Sequence, residues 1–139
     1  MRKFLGLAAV AALLLSTPVR ADDTLYADMG GKAGMDRLVE VSVDKYLADP
    51  RIKDIFSESN IERIRAELKD QFCMIAAGPC AYTGHSMTAT HKGLHLTNAN
   101  FNALVEDLQD AMEVCDIAFA TQNRFLARLA PMQHQVVTK

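Results

Sequence analysis

The stretch FCMIAAGPCAYTGHSMTATHKGLHLTNANF runs from Phe72 to Phe101, and its reading decides the fold. Ala76, Ala77, Gly78 and Pro79 end a helical pattern, because glycine tolerates left-handed backbone angles and the residue before a proline is pushed out of the helical region. Tyr82 and Gly84 follow in a loop. Met87 and His91 then stand four residues apart, on one face if the segment is a short helix. The stretch joins a glycine-and-proline elbow to a histidine set to bind a metal, and the flanking chain reads as helix built to enclose it.

Upstream of the elbow, Ile61, Ile64, Leu68, Phe72 and Ile75 form one apolar stripe, with Glu62, Arg63, Arg65, Glu67, Lys69 and Asp70 largely opposite. Ser59-Asn60-Ile61-Glu62 reads as a capping box, with Ser59 as the cap. Earlier still, Met35, Leu38, Val39, Ser42, Val43 and Tyr46 recur at helical spacing between the breakers Gly30-Gly31 and Asp49-Pro50, and Ile52, Ile55 and Phe56 make an apolar knot. A short helix is expected before Gly30. Downstream, Thr97 caps a helix carrying Phe101, Leu104, Val105, Leu108 and Met112. Residues 114–117 turn into a last helix, whose buried side is expected to hold Phe119, Phe125, Leu126, Leu129 and Met132. With no strand pattern, repeat or low-complexity linker, the reading is a single all-α domain.

The N-terminal 21 residues stand apart. Arg2 and Lys3 precede an apolar run from Phe4 to Leu15, and Val19-Arg20-Ala21 places small residues three and one positions before a cut, the layout of a secretory signal peptide. Crossing a bilayer takes about 20 apolar residues, so the run is too short for a stable membrane anchor. The expected division is a signal peptide over residues 1–21 and one domain over 22–139, exported and periplasmic. The leader holds three of the 15 basic residues and none of the 17 acidic ones, so the remainder carries 12 bases and a formal charge of −5, which argues against nucleic acid as a partner. Cys73, Cys80 and Cys115 all lie in the remainder. Cys73 and Cys80 flank the elbow and are placed to form a bridge in an oxidising compartment; small core residues are the equal alternative. No Cys-x-x-Cys-His occurs, so covalent c-type haem attachment is not indicated.

In order and spacing, Phe72, Gly78-Pro79, Tyr82, Gly84, Met87, His91, Leu94, Leu96 and Phe101 resemble the group I truncated (2-on-2) haemoglobins, and the resemblance extends over Leu25 to Pro131. It implies a two-over-two helical sandwich around non-covalent haem b. Within it His91 matches the proximal iron ligand, Met87 and Phe101 match haem-packing positions, and Leu96 the apolar residue past the ligand. Phe56 matches the phenylalanine on the haem face, and Ser59-Asn60 the start of the distal helix near the propionates. Ile64, Leu68 and Phe72 complete the apolar slot.

The chain departs from that family on the ligand side. The tyrosine that usually bonds the bound gas, often with a phenylalanine before it, is replaced by Ser42-Val43, and the polar distal-helix positions read Ile64 and Leu68. Tyr46 and Gln71, each one turn on, are the nearest polar candidates, and the paired glycine of the elbow is reduced to Ala77-Gly78. His134 falls one position beyond the family's vinyl-bonding histidine. The resemblance therefore implies reversible binding of a diatomic gas (O2, NO or CO) at an open sixth iron site in an apolar pocket, within the oxygen-binding class but with brief oxygen retention. A haem enzyme for nitric oxide detoxification or peroxide turnover, served by a separate reductase and drawing on His85 or Glu67, is the alternative reading. Periplasmic electron transfer and a haem-free helical module are the others.

Overall fold

The computed structural model describes residues 24–139; the leader over residues 1–21 lies outside the described residues. Among those described, every regular element is helical. A short α1 (Leu25–Asp28) leads into α2 (Gly31–Ala48), and a 3-10 turn over Lys53–Phe56 leads into α3 (Ile61–Ile75). A long irregular segment then carries α4 (Met87–His91), followed by α5 (Asn98–Val114) and α6 (Phe119–Leu129). A 3-10 turn over Ala130–Met132 joins α7 (Gln133–Val136).

Local chemistry sets the boundaries. Gly30 and Gly31 have φ of 91° and 61°, left-handed values that let α1 turn sharply into α2. Thr97 caps α5 with a reciprocal box in which its side chain takes the Asn100 amide while the Asn100 side chain takes the Thr97 amide. At α3 the cap is Asn60 rather than Ser59: the Asn60 side chain accepts from the Arg63 amide at 3.0 Å. Asparagine and serine serve equally well in that role, so spacing alone could not choose between neighbours.

Among the long helices, α2 packs on both α3 and α5, and α3 packs on α6. This is the two-over-two sandwich expected from the sequence. Met35, Leu38, Val39, Val43 and Tyr46 of α2 are buried against Leu108 and Met112 of α5 in one core. Phe72 of α3 meets Phe125 of α6 edge to face, with ring centroids 5.2 Å apart. On the outer side Arg65 binds Glu40 and Asp44 at 2.7 and 2.6 Å, and Lys69 reaches Glu40 at 2.6 Å, tying α3 to α2. Phe119 departs from expectation. As the first residue of α6 it is 72 % exposed, because helical spacing fixes a face only within the helix body and the chain enters here from outside the core.

The elbow also differs in detail. α3 stops at Ile75, and the left-handed residue after it is Ala77, φ 60°, rather than Gly78. Gly78 is required for another reason: a Cβ there would run into the Tyr26 ring and the Cys73 sulfur. Cys73 and Cys80 are joined by a disulfide across the elbow, and Cys115 is free and half-buried.

Candidate functional site

α4 is a single turn with a full set of local restraints. The Ser86 side chain accepts from the Ala89 amide and starts it, and Gly93 at φ 81° lets the chain leave. His91 occupies the last position of this turn, half-buried. Its Nδ1 lies 2.7 Å from the Met87 carbonyl oxygen. A carbonyl only accepts, so Nδ1 carries the proton and donates it, and the Nε2 lone pair is the one left to bind a metal. Among the described residues no protein group hydrogen-bonds Nε2. Such a bond at the second ring nitrogen fixes the ring's direction and makes it a better ligand.

Opposite stands α3. Gln71, buried, donates from Nε2 to the Met87 sulfur at 3.1 Å and so ties α3 to α4. Ile64, Leu68 and Gln71 share one face of α3 at spacings of four and three, and Met87 and His91 share one face of α4. The contact therefore turns the Ile64–Leu68 stripe toward the helix that bears His91. Both leucine and isoleucine are only partly buried, as are Phe56 and Leu104, all packed at the margin of the core. Phe101, in the first turn of α5, and Met87 are likewise half-buried.

Two of the expected slot residues have committed contacts. Phe72 is 4 % exposed and spends its ring on Phe125, and Leu96 is buried where its carbonyl takes the amides of Thr138 and Lys139. That last contact, with α7 packed on α4 and Gln133 donating to Asn98 at 2.8 Å, straps the chain's C-terminal segment across the region after His91. Sequence reasoning did not reach this strap, because partners about forty residues apart leave no local signal.

On the α2 side, Phe56 stacks parallel to Tyr46 with centroids 6.1 Å apart. Burial pushes the Tyr46 phenol above its ordinary range, only partly offset by the Ser42 hydroxyl one turn back. Val43 is fully buried between them in sequence. Beyond the stripe, a polar cleft of about 180 Å³ opens between α3 and the loop before α4, lined by Arg63, Glu67, Asp70, Tyr82, Thr83 and His85. The Tyr82 hydroxyl donates to the His85 carbonyl at 2.7 Å, and Arg63 pairs with Glu67 at 2.8 Å.

Among the described residues no group of three or more His, Cys, Asp or Glu side chains is arranged to hold a metal ion. An imidazole whose Nδ1 is already bonded offers one nitrogen to a metal, and so suits a metal whose other donors come with it, as iron's do in a macrocycle. The sequence profile of bacterial-like globins matches residues 24–138. The chain belongs to the globin family, in its truncated two-over-two form.

Relatives of this truncated globin bear the assignment out. The group 1 truncated haemoglobin of Tetrahymena thermophila is 36 % identical over 90 residues, 65 % of this chain and 74 % of that protein. The crystal structure of the Tetrahymena pyriformis truncated haemoglobin in its Fe(III) form superposes with a TM-score of 0.80 at 28 % identity, over 83 % of this chain and 98 % of that one. A 2/2 haemoglobin from Synechococcus, solved in the cyanomet state with covalently attached haem, gives 0.74 at 27 % identity over 80 % and 94 %.

Proposed function

We propose that this truncated globin binds haem b without a covalent link, through His91 Nε2, and reversibly takes a diatomic gas on the opposite face. The observation that carries the reading is the His91 Nδ1 bond to the Met87 carbonyl, which fixes the tautomer an iron ligand needs. The residues fit the group. Phe56, Ile64, Leu68, Met87 and Phe101 are half-buried apolar side chains, and covering them with a flat apolar ring recovers about 25 cal/mol per Å². Arg63 and His85 in the polar cleft supply cationic or hydrogen-bonding groups for the haem's two carboxylates.

When bound, ferrous haem supplies an iron that exchanges a diatomic gas with solution. Val43, Ile64 and Leu68 have no hydrogen to donate on the gas side, and Gln71 gives one of its two amide hydrogens to the Met87 sulfur. A gas that develops negative charge, as oxygen does, is held less firmly there than one that does not. The group I assignment rests on the thirty-residue match about His91 and on the Tetrahymena relatives. Export to the periplasm is supported by the character of residues 1–21 and by the Cys73–Cys80 bridge, a bond that persists in oxidising compartments.

The deciding measurement is the ferrous absorption spectrum with and without carbon monoxide, wild type beside His91→Ala. The expected outcome is a five-coordinate ferrous form that shifts with carbon monoxide and that His91→Ala loses or alters. Failure of the wild type to retain haem would overturn the reading, and a six-coordinate ferrous form would overturn the open site.

A further inference from the structure

Gln71 is out of character with its position. It continues the line of Ile64 and Leu68 along α3, and only 6 % of it is exposed. Burying an amide costs free energy unless the amide is bonded, so packing alone would favour an apolar residue there. The Gln71 nitrogen instead donates to the Met87 sulfur at 3.1 Å. Among the described residues this is the one side-chain hydrogen bond that joins α3 to α4.

Met87 is thereby held at two points. Its sulfur takes the Gln71 hydrogen, and its carbonyl oxygen takes the proton of His91 Nδ1 at 2.7 Å. The two bonds run in series, from the body of α3 through one residue of α4 to the imidazole. α4 is five residues long, well short of the ~12 to 15 at which a helix begins to persist by itself, so what grips it dictates its placement. The Ser86 cap starts the turn but belongs to it, and so leaves its direction relative to α3 open. Any rotation of α4 carries the Met87 carbonyl along, and with the carbonyl goes the aim of His91 Nε2.

We propose that Gln71 is a positioning residue for His91: by holding the Met87 sulfur it fixes the carbonyl that orients the imidazole and strengthens it as a ligand. The proposal rests on the reading of His91 as the haem ligand. It makes α3, which supplies Ile64 and Leu68 to the gas side, also a determinant of the bond on the opposite face. A bond at Nδ1 raises the basicity of Nε2, so a loosened Met87 carbonyl weakens the link from Nε2 to iron.

The test is resonance Raman spectroscopy of the ferrous, haem-loaded full chain, which reads the iron–histidine stretch, with the rate of haem loss to an excess of a haem-free globin acceptor. Wild type is compared with Gln71→Leu, which is close in size and has no hydrogen to donate, with Met87→Leu, which removes the sulfur and keeps the carbonyl, and with the double variant. We expect Gln71→Leu to lower the stretching frequency and to speed haem loss roughly tenfold, the low end of what disturbing the partner of a ligating histidine costs. Met87→Leu should shift the stretch in the same direction. The double variant should shift it no further than the larger single, because both substitutions remove one bond. An unmoved stretch in Gln71→Leu overturns the proposal, as do shifts that add in the double variant, since a glutamine that only fills space does not act through Met87. Should Gln71→Leu not fold, the stretch in Met87→Leu decides by the same criterion. A wild type that shows the iron–histidine stretch beside variants that leave it unmoved overturns this inference alone. A wild type that lacks haem or lacks the stretch overturns the haem reading and this inference with it.

Discussion

At the scale of single residues, the ligand side and the elbow carry the sharpest consequences. Val43 stands fully buried where the resemblance places a hydrogen-bonding tyrosine. Restoring the donor with Val43→Tyr is expected to slow oxygen dissociation by roughly tenfold to a hundredfold, the worth of one bond of about 1 to 3 kcal/mol in a dry pocket. Stopped-flow oxygen release checks this, and an unchanged rate would show that Val43 does not face the bound gas. Ala77 sits at φ 60°, a conformation that costs a side-chain-bearing residue roughly 1 to 2 kcal/mol. Glycine there forfeits part of the gain by loosening the unfolded chain, so Ala77→Gly should stabilise the fold by roughly 0.5 to 1 kcal/mol, read from the denaturant midpoint.

Among the elements, α4 is the exposed part of the design: one helical turn, held by Gln71 from α3, by α7 and by the strap on the Leu96 carbonyl. The Cys73–Cys80 bridge closes the elbow that leads to it. A loop of that size restrains the unfolded chain by about 2.5 kcal/mol in the chain-entropy account. Cys80→Ser should therefore lower stability by roughly that amount in denaturant titration. It leaves the long-helix contacts untouched, so far-UV helicity at zero denaturant should stay as it is. Collapse of the helical signal would mean that the bridge holds the sandwich and not only its elbow.

For the whole molecule, the cited carboxyls pull in opposite directions. Asp28, held down by hydrogen bonds from Arg124 and Thr24, and Asp49, held down by Arg51, favour the fold above the unfolded carboxylate value of about 3.9 and lose that effect as pH falls through their folded values. Asp107, pushed up first by burial, works the other way and loses its effect as pH rises. Stability should peak in mild acid, between the two. Asp28 is exposed and the Arg51 that pairs with Asp49 is itself half-exposed, so solvent screens both pairs in part and the acid limb is expected to be shallow. Thermal unfolding midpoints from about pH 3 to pH 9 check the shape, and a steady rise toward alkaline pH would contradict it.

Much of this was legible one residue after another. The stripes of α2, α3 and α5, the Thr97 cap and the Met87–His91 turn follow from spacing, because a helix writes its buried face into the sequence every three or four positions. The family was legible in one thirty-residue run for the same local reason. Where two neighbours offer the same chemistry, as Ser59 and Asn60 do for the cap, or Ala77 and Gly78 for the left-handed turn, only the folded backbone chose. It also chose the disulfide over three core thiols, since two sulfurs must be brought together by the elbow before they can bond. The C-terminal strap on Leu96 and the Gln71 tie to Met87 join positions far apart in the chain. Such pairs have no periodicity to betray them, and they exist only once the packing of α3 and α7 on α4 has set the distances.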